Sequence, residues 1–289
     1  MRHSPKLFTL LVGFCLALMV LIYYVYTTSL EIVRLRPRML YMEKCAADSS
    51  SPLLSLTFDT VEGNLTPDGA RDKHDGVLGS LFEDHRLFFK IPHKFRNFAL
   101  PKLVTGANGL GQALQFNGKN WVAAGNNQCY TKDVFTLSLW AWKDKAPAIV
   151  KGDWLVPTLA AKSDWPGSGW WLCTEPNTNN IDMAISFGVA RKHIHSGYLL
   201  APETWHHFSV TMDNNHHEVQ FYVDGKLYGE VHKDVPVWIT NYDQNLFVGD
   251  YDGTARWPWF GKIDNVHLDG KKLSAQEVQE MYTLEGGKK

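Results

Sequence analysis

Two segments of the chain bring tryptophan together with acidic and amide side chains, a combination suited to a polar ligand that has apolar faces. The first runs from residue 163 to 180 and the second from 250 to 259. An indole ring can cover the apolar face of a sugar, while Asp, Asn and backbone groups hydrogen-bond its hydroxyls. The alternative is that both loops only cover an edge of the domain. The predicted ligand-binding residues are Asp164, Trp165, Trp170, Asn179, Asp252, Arg256, Trp257 and Trp259.

Three closely spaced pairs of histidines raise the possibility of a transition-metal site. A tetrahedral site needs further cysteine, histidine or carboxylate ligands at suitable spacing. No such ligand is spaced to complete one here, so these pairs are not expected to bind a transition metal. The pairs are His193/His195, His206/His207 and His216/His217.

The four cysteines lie at positions 15, 45, 129 and 173, and no two of them have the CxxC spacing of a redox or zinc motif. We predict a disulfide bond between Cys129 and Cys173, which leaves Cys45 free or paired between two chains. The alternative is that all four thiols are reduced.

Short strand patterns separated by turn residues fill most of the chain after residue 52. Phe135, Leu137 and Leu139 alternate with polar or aromatic residues, as a half-buried antiparallel strand requires. Asp224-Gly225 permits the positive φ angles of a type I′ hairpin turn. Helical signal is confined to the end of the chain, where Ser274 to Glu277 form a capping box. The sequence therefore predicts an all-β domain with one short C-terminal helix.

The strand motifs together resemble one family of sandwich domains. Each motif is weak alone, but their order and spacing over residues 53–284 are similar to the laminin-G-like jelly-roll domains of the concanavalin-A-like lectin/glucanase superfamily. The motifs are Leu56–Asp59, Asp75–Leu78, Gly111–Gly118, Phe135–Trp140, Thr204–Phe208, Phe221–Gly225, Gly261–Val266 and Leu273–Val278.

The resemblance implies a concanavalin-A-like domain over residues 53–285, built from two antiparallel sheets of about six or seven strands, one of them concave. Related domains often hold Ca²⁺ near the sheet edge, and Ca²⁺ takes six to eight oxygen ligands. By resemblance the calcium ligands are Asp59, Asp75 and Asp264. The alternative is that Asp264 caps a turn or pairs with a basic residue.

Catalysis is not expected. The hydrolases of the resembling superfamily carry their two carboxylates on one strand as Glu-x-Asp-x-x-Glu, and that motif is missing from this sequence. The sequence also lacks Gly-x-Ser-x-Gly and His-Glu-x-x-His. We therefore expect a non-catalytic recognition module for a glycan or a protein partner. A glycan-processing enzyme and an adhesion protein without a small ligand are the alternatives.

The first 52 residues differ from the rest in composition. Residues 7–27 form an apolar run long enough to span the roughly 30 Å hydrocarbon core as a helix, after a short tail at 1–6. We predict a single-pass signal anchor rather than a cleaved signal peptide. A stem at 28–52 would then lead to a domain in the Golgi or ER lumen or outside the cell. The sequon at Asn64 agrees with that placement, and the net charge of −1 gives no reason to expect nucleic-acid binding.

Overall fold

The computed structural model describes residues 52–70, 75–80, 100–145, 156–164, 168–175, 179–187, 190–237 and 244–287. Within these ranges the chain forms sixteen β-strands and one α-helix. The strands are β1 Pro52–Leu56, β2 Leu65–Thr66, β3 Gly76–Ser80, β4 Lys102–Thr105, β5 Gln112–Asn117, β6 Asn120–Ala123, β7 Val134–Lys143, β8 Thr158–Asp164, β9 Ser168–Thr174, β10 Asn180–Phe187, β11 Ala190–Leu199, β12 Trp205–Asp213, β13 Glu218–Val223, β14 Lys226–His232, β15 Phe247–Val248 and β16 Phe260–Asp269. The helix, α1, spans Ala275–Leu284.

The strands build two eight-stranded antiparallel sheets. Sheet 1 has the order β14-β13-β12-β7-β16-β5-β4, with β1 also paired to β16. Sheet 2 has the order β11-β10-β9-β8-β15-β6-β3-β2. The chain crosses repeatedly between the sheets, as a jelly roll does, so strands distant in sequence become neighbours.

The hydrophobic core lies between the two sheets. Phe135 on β7 meets Trp170 on β9 with ring centroids 5.0 Å apart, which marks the facing sides of the sheets. Successive side chains of a strand point to opposite faces, so Leu172 shares the inner face with Trp170. On β10, Met183 and Ile185 pair with Leu172 and Trp170 and are likewise fully buried.

The other side of sheet 1 is covered by the C-terminal helix. Trp140 on β7 stacks on Tyr282 of α1, with centroids 5.4 Å apart, and its Nε1 donates to Glu285 at 2.7 Å. The two faces of β7 are therefore both buried, so the prediction of a half-buried strand there was wrong. Alternation of apolar and polar residues predicts that the more polar face of a strand is exposed. Here α1 packs on that face of β7 and buries it.

The structure confirms the predicted hairpin turn between β13 and β14 and the predicted capping box of α1. Asp224 and Gly225 have φ of 50° and 76° between β13 and β14, which is the expected type I′ geometry. Ser274 accepts from the Glu277 backbone N–H and the Glu277 carboxylate accepts from Ser274 N, so the capping box is formed. The all-β sandwich with one short C-terminal helix is confirmed.

The predicted disulfide between Cys129 and Cys173 is wrong. Cys173 is a free thiol, fully buried on β9, and its Sγ lies 3.7 Å from the carbonyl oxygen of Asp182. Cys129 does form a disulfide bond, but Cys173 is not its partner. Strand β9 places the Cys173 side chain in a packed hydrophobic cluster.

The predicted tail, signal anchor and most of the stem lie outside the described residues. Within the described ranges, no helix combines the length and hydropathy needed to cross a membrane. Asn64 of the sequon is exposed in the turn before β2, so it stays a prediction for glycosylation.

Candidate functional site

The outer face of sheet 2, opposite to its core-facing side, carries an aromatic cluster. Trp171 on β9 points outward because its neighbours Trp170 and Leu172 point into the core. Trp171 meets Tyr251 at 5.4 Å and Trp257 at 6.2 Å between ring centroids. Tyr251 and Trp257 lie 4.5 Å apart with their rings inclined by 60°. We call these three residues the aromatic cluster.

The loop between β15 and β16 holds two members of the aromatic cluster in place. Gly249 begins the loop with φ of +80°, and a Cβ there would stand 2.2 Å from the ring of Phe116, so only glycine fits. The Tyr251 hydroxyl lies 2.9 Å from Ser163 Oγ on β8. Thr158 N donates to the carbonyl of Trp257 at 3.0 Å, which ties the end of the loop to sheet 2.

A buried carboxylate lies at the base of the same loop. Asp250 is fully buried, and its Oδ2 accepts from Ala255 N at 2.8 Å. Its Oδ1 has no hydrogen-bond partner among the described residues. Burial raises the pKa of Asp250 to about 6, against the opposing effect of the backbone N–H donors. The loop is therefore organised around an acid that is costly to ionise.

Trp257 is the member of the aromatic cluster with accessible ring surface. It is half-buried, whereas Trp171 and Tyr251 are fully buried. The Arg256 guanidinium lies 5.8 Å from the Trp257 ring centroid, within cation–π range. Asp252 lies 4.0 Å from Arg256 and accepts from Thr254. Three predicted ligand-binding residues, Asp252, Arg256 and Trp257, are thus brought together at the surface.

A second group of side chains on the same face is polar, and we call it the polar cluster: Glu175, Asp182, His193 and His195. The Asp182 carboxylate is fully buried, and its two oxygens face His195 Nδ1 at 3.0 Å and His193 Nδ1 at 3.3 Å. Glu175 follows β9 and has a carboxylate oxygen within 4.8 Å of ligand atoms of Asp182 and His195. Trp171 joins the two clusters, since its ring lies 6.0 Å from that of His193.

Two predicted ligand-binding tryptophans do not fit that role. Trp170 is 3% exposed and packs in the core between the sheets, and Trp259 is completely buried. Neither indole face is open to a ligand, so placing them in the binding site was a wrong prediction. The strand β9 begins at Ser168, two residues before Trp170, where the glycine-rich sequence had suggested a loop.

The other predicted residues of the first loop lie apart from the aromatic cluster or outside the described structure. Asn179 ends the β9–β10 hairpin, and its Oδ1 accepts from Lys143 Nζ on sheet 1. Asp164 is the last residue of β8, but its side chain lies outside the described residues, as does Trp165. Their predicted contribution stays a prediction.

The predicted calcium ligands divide into two places. Asp264 on β16 and Asp59 both bond to the 106–112 segment: Asp264 Oδ2 accepts from Ala107 N at 2.8 Å and Asp59 Oδ1 from Gln112 N at 2.9 Å. Burial raises the pKa of Asp264 to about 7, and the charge of Asp59 contributes. Asp264 Oδ1 is buried without a partner among the described residues. Asp75 instead accepts from Asp68 N at 3.1 Å.

The sequence itself assigns the fold to a family. Residues 116–279, more than half of the chain, match a laminin G family described as the concanavalin A-like lectin/glucanases superfamily. The chain belongs to this superfamily. A comparison with curated proteins finds no match.

Solved structures with a similar fold include one domain of an arabinanase and the binding domains of several toxins. Domain 4 of AbnA, an extracellular arabinanase from Geobacillus stearothermophilus in complex with arabinotriose, matches with a TM-score of 0.58 and 15% identity over 81% of this chain and 100% of that domain. The receptor binding domain of botulinum neurotoxin type G matches with a TM-score of 0.55 and 15% identity, over 81% of this chain and 51% of that domain.

A third structural match is the binding domain of botulinum neurotoxin DC in complex with SialylT. Its TM-score is 0.54 at 12% identity, over 82% of this chain and 52% of that domain. The chain therefore spans about half the length of the toxin domains that it matches. At these identities the structural likeness shows the fold alone.

Sequence reasoning missed the polar cluster although part of its signal was present. Alternation along β11 places His193 and His195 on one face, and the apolar residues Ile181, Met183 and Ile185 imply that Asp182 points the other way. The pairing of β10 with β11, in which Asp182 lies opposite His195, is what brings them together. That pairing is not readable from either strand alone.

Proposed function

We propose that this protein is a membrane-anchored, non-catalytic recognition module that binds a glycan on the outer face of sheet 2. The proposal depends on the position of Trp257. Its half-buried ring packs against Trp171 and Tyr251 and lies beside the Arg256 guanidinium. A rigid indole beside a guanidinium and carboxylates suits a ligand with apolar ring faces and many hydroxyls. The complexes of AbnA domain 4 with arabinotriose and of a toxin binding domain with SialylT support a glycan rather than a protein partner.

The outer faces of the two sheets differ in accessibility, which supports placing the glycan site on sheet 2. The outer face of sheet 1 is covered by α1, whose Tyr282 packs on Trp140 of β7. The outer face of sheet 2 instead carries the half-exposed His195 and Trp257. A ligand has access to polar and aromatic groups together on this side.

The test is glycan binding by the full chain, purified in detergent, on an array and then by titration. Trp257→Ala should weaken binding at least about tenfold, or ~1.4 kcal/mol. The matched control is Trp205→Ala, which removes a half-buried indole packed on Trp142 of sheet 1. Unchanged affinity in Trp257→Ala refutes the site, and turnover of a bound glycan refutes the non-catalytic reading in favour of a glycan-processing enzyme.

We also propose that a structural Ca²⁺ binds between Asp59 and Asp264. Support comes from the buried, unpartnered Oδ1 of Asp264 and from the nearby charge of Asp59. An ion that binds only the folded state raises stability, so a chelator should lower the melting temperature. Asp59→Asn should remove this response, and the control Asp75→Asn should keep it. A melting temperature that the chelator leaves unchanged in the wild type argues against the ion.

The membrane anchor over residues 7–27 and a lumenal or extracellular position for the domain complete the proposal. The apolar run and the exposed sequon at Asn64 support it. Cells expressing the chain should retain it in membranes after carbonate extraction, and a glycosidase that removes N-linked glycans should reduce its mass. Release of the chain by carbonate would contradict the anchor.

A further inference from the structure

The polar cluster on the outer face of sheet 2 has the composition of a metal site. Ligand atoms of Glu175, Asp182 and His195 lie within 4.8 Å of one another, and they come from the end of β9, from β10 and from β11. Three adjacent antiparallel strands hold these positions, so the backbone that carries the ligands is rigid. Glu175 N donates to the carbonyl of Asn180 at 2.8 Å, which fixes the hairpin on which the glutamate stands.

We propose that Glu175, Asp182 and His195 bind a divalent transition-metal ion of the zinc type, with His193 as the fourth ligand. Two imidazoles and two carboxylates are a common ligand set for Zn²⁺ and its first-row neighbours. Ca²⁺ takes oxygen ligands only, so this site differs in chemistry from the one between Asp59 and Asp264.

The distances already present are close to those of a coordination sphere. Ligand atoms around a tetrahedral Zn²⁺, with bonds of about 2.0–2.1 Å, lie roughly 3.3 Å apart. Asp182 Oδ1 and His195 Nδ1 are separated by 3.0 Å, and Asp182 Oδ2 and His193 Nδ1 by 3.3 Å. A metal would replace the protons shared between these pairs. The Glu175 carboxylate, which lies within 4.8 Å of ligand atoms of Asp182 and His195, would have to move closer to complete the sphere.

The charges of the cluster also favour a dication. The Asp182 carboxylate has no exposed surface, and buried charges in proteins are paired or coordinate metals. A divalent ion would supply positive charge directly to the Asp182 carboxylate. The His195 side chain is 51% exposed, so an ion has a path from solvent and one side of the site stays open to a further ligand.

The experiment is titration of the full chain, purified in detergent and stripped with a chelator, with Zn²⁺ followed by calorimetry and with Co²⁺ followed by visible absorption. We expect one ion per chain and a Co²⁺ spectrum of tetrahedral type. His195→Ala and Glu175→Gln should each weaken Zn²⁺ binding at least as much as the roughly 10–100-fold that loss of an outer-sphere partner costs.

The matched control is His216→Ala. His216 Nδ1 also faces a carboxylate, that of Asp213 at 2.8 Å, but on the β12–β13 turn of sheet 1. This variant should bind Zn²⁺ as the wild type does. Absence of stoichiometric binding overturns the proposal, as does binding that survives both His195→Ala and Glu175→Gln. Glycan affinity of the same variants is measured separately with metal absent, so loss of the metal site and loss of the proposed glycan site are distinguishable.

Discussion

Replacing Asp250 by Asn tests whether the loop that presents Trp257 contains a destabilising charge. Asp250 is completely buried, and its Oδ2 accepts from Ala255 N. Asparagine has nearly the same shape and keeps an oxygen for that bond, but it carries no charge.

The expected size follows from the pKa of Asp250. Burial raises the pKa from 3.8 to about 6, and each unit corresponds to ~1.36 kcal/mol, so the folded state disfavours the ionised side chain by about 3 kcal/mol. Because the folded pKa lies above the unfolded one, the penalty is complete above pH 6 and disappears as the pH falls to 3.8. Asp250→Asn should therefore raise the free energy of unfolding by up to about 3 kcal/mol at pH 8 and hardly change it at pH 4.

The assay is urea unfolding of the full chain in detergent, followed by tryptophan fluorescence at both pH values. Asp252→Asn is the control, because it makes the same chemical change two residues away on a carboxylate with 24% of its side chain exposed. Its effect should be small and similar at both pH values. If Asp250→Asn destabilises the protein at pH 8, the hydrogen bonds of the buried carboxylate stabilise the loop by more than its desolvation costs. The predicted destabilising effect of the charge is then wrong.

Other perturbations test the covered face and the free thiol. Burial alone would lower the pKa of His267, but its hydrogen bond to Glu285 and the charge of Glu285 raise it, so this pair stabilises the fold at low pH and loses that effect as the pH rises through the folded pKa. In urea unfolding, Glu285→Gln should lower the free energy of unfolding by about 2–3 kcal/mol at pH 5.5 and by less at pH 9. The control Glu280→Gln, on the exposed side of α1, should lower it little at either pH. Equal losses for Glu285→Gln at both pH values would refute the ion pair. Burial raises the pKa of Cys173 well above its usual value, so its thiol should resist iodoacetamide in the folded protein and react after denaturation, as mass spectrometry can show; rapid labelling of the native chain would contradict its burial.

The parts of the fold that the sequence predicted are those set by local chemistry. The turn at Asp224-Gly225 and the cap at Ser274 depend on a few adjacent residues, and both are formed as expected. The ordered series of strand motifs was enough for the sandwich, because alternation and turn spacing constrain a two-sheet domain strongly. The cover over Trp140 was missed because it depends on α1, more than 130 residues away in sequence.

The site was harder to predict because it depends on register. Trp170 and Trp171 are adjacent on β9, so they must point to opposite faces, and a shift of one residue exchanges them. The sequence analysis placed Trp170 in the ligand site, but the structure places Trp170 in the inter-sheet core and Trp171 in the aromatic cluster. Trp257 was predicted to bind a ligand, and its ring is half-buried at the surface.

The outer face of sheet 2 and the adjoining loop bury two carboxylates, which lowers the stability of the fold without serving its packing. Asp182 on this face and Asp250 in the loop that carries Trp257 are both fully buried, and a buried carboxylate is among the most expensive groups to retain in a fold. Exceptions to local design rules concentrate where a protein acts. Asp250 lies in the loop that carries Trp257 and Asp182 faces His195, so the two buried acids belong to the proposed glycan site and the proposed metal site.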